Sequence, residues 1–342
     1  MTGYFVGIDM GGSTTKATAI DERGHRPAAN LIEIPTGAHL GPAHAIGQMK
    51  AAAELALKAA GAGWGDVLGI TLATPGPAIN GVLGRSPNLP HLIGADLRGG
   101  LEKAVATTGH PVAVAWVNDA NAGTYADWAT FGAPHKRGII GLYPGTGLGA
   151  GFVDMDGNLL VGEHGAGAEL GHLPLPYWLA SEEGAWACGC GREGCVETAA
   201  SIAGLKNQLP AALKRPEFAN HPLATSDQPL DKKVMSLRTL AQKGDALALH
   251  IFSRQAKVLA ATLVMGQAAY DAGIAVLGGG LTEPSATTSQ FREWFVSEMK
   301  TEYRKRAFNP DYAVDIVITV LGDMAQAVGA AELARHTYQS KR

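Results

Sequence analysis

The only three cysteines of the chain, Cys188, Cys190 and Cys195, fall within eight consecutive residues. In this C-x-C-x4-C spacing, glycines at 189, 191 and 194 let a short loop wrap a small ion. Three thiolates and one imidazole complete a tetrahedral Zn²⁺ shell with no open position, which is a structural site. Among 11 histidines spacing alone does not select the imidazole, and His164 is the sequence-local candidate. The competing reading of clustered cysteines is a redox-active or inert set. Carboxylates flank the cluster, Glu169 before it and Glu197 after it.

A second chemical signal opens the chain. The strand-like run Tyr4 to Ile8 leads into Asp9-Met10-Gly11-Gly12-Ser13-Thr14-Thr15-Lys16, and a second strand-like run follows from Ala17 to Ile20. Gly11 and Gly12 let backbone N–H groups approach anionic oxygens. Ser13 and Thr14 add hydroxyl donors, Lys16 adds charge, and Asp9 suits a divalent cation held through water, as Mg²⁺ prefers. The alternative is an ordinary hairpin turn. A Walker A loop is excluded, because its spacing and the helix that follows it are absent.

A third signal is Asn118-Asp119-Ala120-Asn121, directly after the strand-like run Val112 to Val117. Asp119 reads either as the N-cap of the helix that includes Ala120 to Thr130 or as a general base for a hydroxyl attacking phosphorus. Asn118 beside it suits a neighbouring hydroxyl. A second glycine-rich hairpin follows: a strand from Gly138 to Leu142, the turn Gly145-Thr146-Gly147, and a strand to Val153. Two such hairpins about 130 residues apart, each opening a set of strands and helices, indicate a duplicated α/β fold. Between them, loops at 74–78 and 86–90 follow strands, where open α/β sheets carry ligand contacts. Beyond them come a long helix from Leu247 to Ala272, a strand Ile274 to Leu277 and the triplet Gly278-Gly279-Gly280. Trp294 and Phe295 read as core. Residues 206–245, broken by four prolines, read as a variable surface insertion.

These motifs, in this order, resemble the ROK family of sugar kinases, within the actin-like ATPase and sugar kinase superfamily. The resemblance covers nearly the whole chain. Asp9 to Ser13 resembles the first phosphate motif, Gly145-Thr146-Gly147 the second, and Gly278-Gly279-Gly280 the adenosine motif. The most specific parts are Asn118 to Asn121, Glu169-Leu170-Gly171-His172, and Cys188 to Glu197. The resemblance implies two actin-like (ribonuclease H-like) domains with a nucleotide and sugar cleft between them, 1–117 with about 322–342 and 118–321. It implies ATP-dependent phosphorylation of a hexose, O6 of glucose foremost, with Asp119 as base. Pro77, Asn88, Asn118, Asp119, Glu169, His172 and Glu197 are implied to bind the sugar. Asp9, Gly11, Gly12, Ser13, Thr14, Lys16, Gly145, Thr146 and Gly147 would hold the phosphates and Mg²⁺ of ATP, and Gly278, Gly279 and Gly280 the adenosine. His172 joins the three cysteines on structural Zn²⁺, and a homodimer or higher homo-oligomer is implied. One departure is visible. The family has Thr-Lys directly after the first Gly-Gly, whereas Ser13-Thr14-Thr15-Lys16 is longer, which leaves open whether Lys16 reaches phosphate.

Composition fits this reading. The chain has 342 residues, 46% hydrophobic and 17% charged, enough to bury a large core. A net charge of −3 gives no footprint for nucleic acid or an anionic membrane. No apolar run reaches the roughly 20 residues of a membrane span. No basic n-region and apolar h-region opens the chain, and an odd, clustered cysteine count does not suit a disulfide framework, so a reducing cytoplasm is expected. N-acetylmannosamine, N-acetylglucosamine, fructose, mannose and allose are the rival sugars, and polyphosphate is the rival donor. The ROK family also contains sugar-responsive transcriptional regulators. Those carry a helix-turn-helix ahead of the first motif, which here begins at Asp9, so a regulator is not expected.

Overall fold

The computed structural model describes residues 2–27, 31–76, 78–79, 81–84, 86, 88–180, 185–308 and 314–341. In chain order the elements are β1 (Tyr4–Met10), β2 (Thr14–Asp21), β3 (Ile32–Pro35), α1 (Pro42–Ala59), β4 (Val67–Thr74), β5 (Ala78–Ile79), β6 (Val82–Leu83), α2 (Leu97–Ala106), β7 (Val114–Asn118) and α3 (Asp119–Asp127). Then follow β8 (Ile139–Pro144), β9 (Leu148–Val153), α4 (Glu197–Ala200), α5 (Ile202–Leu213), α6 (Pro222–Thr225), α7 (Leu230–Gln242), α8 (Ala246–Tyr270), β10 (Ile274–Leu277), α9 (Ser289–Arg306), β11 (Asp315–Ile318) and α10 (Ala325–Gln339). They form two compact units, Met1–Ile139 with Gly151–Ala168 and Asp323–Arg342, and Ile140–Ala150 with Glu169–Gly322.

The first unit is a five-stranded sheet in the order β3-β2-β1-β4-β7. β1 pairs antiparallel with β2 and parallel with β4, and β4 pairs parallel with β7. The period of two along β1 sends Val6, Ile8 and Met10 into one apolar cluster with Met49, Ala53 and Leu57 of α1 and Leu101 and Val105 of α2. Phe5, on the other face, packs with Ala331 and Ala334 of α10. Gly7 is required on that face, because a Cβ there would sit 1.9 Å from the Ala327 carbonyl oxygen. α10 thus lies directly on β1, with α3 beside it. Gly329 of α10 comes so close to α3 that an added Cβ would be 1.7 Å from the Ala122 carbonyl oxygen.

That packing corrects the expected boundary after residue 117. α3, buried along most of its length, belongs to the first unit with α10, so Asp119 shares a unit with Asp9. The C-terminal helix returns to the N-terminal unit at Asp323.

The second unit carries a four-stranded sheet in the order β11-β10-β8-β9. Its central helix is α8, with thirteen buried residues, packed against α4, α5, α7 and α9. Phe295 is buried in a ring cluster with Phe291, and Trp294 packs on both, as core. Residues 206–245, expected as a surface insertion, are largely helical. α7 buries Val234, Leu237 and Ala241, and Pro210 sits inside α5 without ending it.

Candidate active site

In the first unit the parallel strands β1, β4 and β7 end together. Asp9 is in register with Ala73, Ala73 with Val117, and Thr74 with Asn118. At about 4.8 Å per strand, Asp9 and the Asn118–Asp119 pair stand roughly 10 Å apart at the carboxyl edge, the edge where open α/β sheets bind ligands. Thr74, fully buried between them, accepts a hydrogen bond from Trp116 Nε1 at 2.8 Å, which anchors this edge.

The cap of α3 is Asn118 rather than Asp119. Asn118 Oδ1 accepts from the Ala120 N–H at 2.9 Å and the Asn121 N–H at 3.4 Å. Asp119 is the first helical residue, and its Oδ1 also accepts from the Ala120 N–H at 2.8 Å. Burial raises the Asp119 pKa from its ordinary value, and the Ala120 N–H and the Asn118 side chain pull against that rise. Asp9 is pushed up to about 7, first by burial and then by the Asp119 charge, with Lys16 opposing. Two carboxylates share this edge with little compensating charge. Lys16 itself turns to Asp323, 3.9 Å from its carboxylate and 3.5 Å from its carbonyl.

The hairpin tip is fixed by Thr36, whose N–H bonds to the Ser13 carbonyl and whose Oγ1 bonds to the Gly11 carbonyl. The Gly11 N–H closes the turn on Thr14 O, while those of Gly12 and Ser13 are not spent within the hairpin. A Cβ on Gly12 would come 2.6 Å from the Asn88 carbonyl oxygen, so only glycine allows the hairpin to meet the exposed Asn88 loop. Pro77 lies outside the described residues.

The second unit repeats the hairpin. The Gly145 N–H bonds to the Gly147 carbonyl, and the Gly145 carbonyl accepts from the Ile202 N–H at the start of α5. Glu197, the first residue of α4, holds this hairpin to the cysteine loop. Its Oε2 accepts from the Leu148 N–H at 3.0 Å, and its Oε1 accepts from Cys188 Sγ at 3.1 Å. A Cβ on Gly147 would be 2.4 Å from Oε2, so that glycine admits the carboxylate. Both Glu197 oxygens therefore have partners inside the unit. Glu169 is exposed, just before the turn of residues 170–172.

The side chains of His172, Cys188, Cys190 and Cys195 place their ligand atoms within 4.8 Å of one another. A tetrahedron with metal–sulfur bonds near 2.3 Å has edges of about 3.8 Å. Cys190 Sγ to Cys195 Sγ is 3.7 Å and Cys188 Sγ to His172 Nδ1 is 3.6 Å, so the donor set fits such an ion. His164 is exposed and outside this group. The Arg192 backbone N–H and guanidinium lower the Cys190 pKa to about 6, which favours a thiolate, while burial raises those of Cys188 and Cys195. Arg192 also donates to the His172 carbonyl at 3.0 Å, tying both ends of the loop.

The triplet after β10 packs on the second hairpin. The Gly278 N–H bonds to the Leu142 carbonyl, and Gly279, at φ 77°, is backed by the Pro144 carbonyl, 2.5 Å from where a Cβ would stand. A cleft of about 60 Å³ opens there, lined by Pro144, Gly145, Gly280 and Leu281 together with Ile202 and Leu205 of α5 and Val234, Met235 and Arg238 of α7. Arg238 donates to the Gly280 carbonyl at 2.9 Å. The contribution of α7 is absent from the sequence reading. The amphipathic run 230–242, with Val234, Leu237 and Ala241 on one face, was the available signal.

The ROK family model matches residues 5–337. The chain belongs to the ROK family. Among its ROK relatives, a glucokinase of Streptomyces coelicolor is 27% identical over 341 residues, covering 97% of this chain and 98% of its own. An N-acetylmannosamine kinase of Salmonella newport is 30% identical over 291 residues, covering 85% and 88%. The crystal structure of a ROK glucokinase from Streptomyces griseus in complex with glucose and AMPPNP superposes with a TM-score of 0.71 at 25% identity, covering 98% of this chain and all of the other. The fold is thus the two-sheet α/β fold of the ROK sugar kinases. Among the described residues no helix is long and apolar enough to cross a membrane.

Proposed function

We propose that this ROK protein transfers the γ-phosphoryl group of ATP to a hexose hydroxyl, O6 of glucose foremost. The observation that carries the reading is the Asn118–Asp119 pair. Asn118 caps α3, which leaves the Asp119 carboxyl, its pKa raised by burial, to take the proton of the attacking hydroxyl. Asn118 and Asn88 meet neighbouring sugar hydroxyls. The N–H groups of Gly12, Ser13, Thr146 and Gly147 hold phosphate oxygens, and the cleft by Gly280 takes the adenine ring. Asp9 fits Mg²⁺, since a second carboxylate nearby leaves the edge short of positive charge. Bound there with ATP, Mg²⁺ would neutralise charge on the transferring phosphoryl group. Pro77 and Glu169 are proposed for the sugar side as well. Glu197 and His172 serve it by holding the loop, given their contacts with Leu148 and the cysteines. Zn²⁺ is the ion proposed for the cysteine site, as a structural element. Association into a homo-oligomer belongs to the same reading, and light scattering tests it.

The glucokinase relatives favour glucose. The N-acetylmannosamine kinase relative supports a second reading in which the sugar carries an N-acetyl group at C2. A coupled assay with about ten sugars, run with ATP and with polyphosphate, separates them. Turnover of none of these sugars with either donor would remove the kinase reading.

A further inference from the structure

The cleft beside Gly145 and Gly280 is lined by a residue with a buried polar atom that has no partner among the described residues. Gln255 of α8 is 3% exposed and lines this cleft. Its Nε2 donates to the Ala200 carbonyl at the end of α4, at 2.7 Å. That bond fixes which way the amide faces, because the flipped amide would set Oε1 against the carbonyl oxygen. Oε1 is then a buried acceptor with no hydrogen-bond partner among the described residues. Its neighbours on the lining, Ile202, Leu205, Val234, Phe252 and Leu281, have no side-chain donor, and Arg238 donates to the Gly280 carbonyl. A buried amide oxygen in apolar surroundings is stabilised by any ligand that brings a donor to it.

We propose that Gln255 selects the nucleobase: its Oε1 accepts from the 6-amino group of adenine and disfavours purines with an oxygen at that position. The proposal rests on the reading of this cleft as the adenine pocket. Apolar walls stabilise every purine ring alike, and Arg238 is held on the Gly280 carbonyl, so Gln255 Oε1 is the buried side-chain acceptor left to discriminate. Adenine presents N–H there. Guanine and hypoxanthine present a carbonyl oxygen, acceptor against acceptor, and leave Gln255 unsatisfied.

The test is calorimetric titration of the whole protein with ADP and with IDP, which differ chiefly at position 6. Wild type is expected to bind ADP about 10–100-fold more tightly than IDP, the range for one buried hydrogen bond. Gln255→Met keeps the volume and removes the acceptor. It should bring the two affinities within about threefold of each other, while Gln255→Glu, which keeps an oxygen, retains the preference for ADP. The ratio is internal to each protein, so a general loosening of the Ala200 contact does not move it. Equal affinities in wild type, or an unchanged ratio in Gln255→Met, overturn the proposal. Met235→Trp probes the cleft separately. Met235 is 54% exposed, so the larger ring narrows the mouth without entering the core. Weaker ADP binding in Met235→Trp with an unmoved ratio in Gln255→Met leaves the adenine pocket standing and removes the role of Gln255. Unchanged ADP affinity in Met235→Trp removes the pocket reading, and the proposal with it.

Discussion

Replacing Asp9 with Asn removes a carboxyl that the first unit buries near a second one. Burial and the Asp119 charge lift the Asp9 pKa from 3.8 to about 7. In the unfolded chain the group titrates near its ordinary value, so ionising it above pH 4 costs the native state and not the unfolded one. The stability tied to the protonated carboxyl is whole below about pH 4 and is lost as the pH rises through 7. A shift of about 3 units at about 1.4 kcal/mol per unit sets the loss at about 4 kcal/mol at most. Asparagine stays neutral and avoids it. With no nucleotide or Mg²⁺ added, Asp9→Asn and wild type should differ least at the acid end, by about 1 kcal/mol at pH 4.5. By pH 8 the variant should melt higher, by on the order of 10 °C if the full difference is realised. Phosphoryl transfer should fall sharply in the same variant, because the cation loses its partner. The assay is differential scanning calorimetry across pH 4.5–8.5, paired with a kinase assay at pH 7.5. A melting difference that does not grow with pH, or a variant less stable at pH 8, would refute the reasoning.

Other expectations follow from close contacts and from the metal site. Gly12→Ala brings a Cβ to 2.6 Å from the Asn88 carbonyl, so the hairpin or the loop must shift by about half an ångström. We expect kcat/KM to fall roughly 10–100-fold with the melting temperature nearly unchanged, and a value within twofold of wild type counts against the contact. Cys195→Ser should lower bound zinc, measured by plasma mass spectrometry, from one per chain to well below it, and should lower the melting temperature. Metal-free protein should show a raised sugar KM, because Cys188 and His172 flank Glu197. An unchanged KM in verified metal-free protein contradicts that link.

The two glycine hairpins and the cysteine cluster were legible because their chemistry is local in sequence. Gly11-Gly12 and Gly145-Thr146-Gly147 each sit in one turn, and the four candidate ligands span 24 residues of chain. What was hidden depends on distant packing. The cap of α3 falls to Asn118 because β7 runs one residue further than its apolar run suggests, ending at Asn118. The unit boundary moved because α10 grips α3 through Gly329, some 200 residues away in sequence. Glu197 also accepts from the Leu148 N–H, a contact that its motif does not signal and that only the folded hairpin presents. The prolines of 206–245 masked a helix, because Pro216, Pro222 and Pro229 all lie outside helix interiors, where they start or flank turns.

The central claim is that Asp119 removes the proton from the sugar hydroxyl, and Asp119→Asn tests it most directly. The amide keeps the shape and can still hydrogen-bond the sugar, so the dissociation constant for glucose, read by tryptophan fluorescence or calorimetry, should stay within a few-fold of wild type. Single-turnover phosphorylation with ATP should slow by about 100-fold or more, the contribution of a general base. A variant that binds glucose and phosphorylates it at a near-wild-type rate would contradict the account.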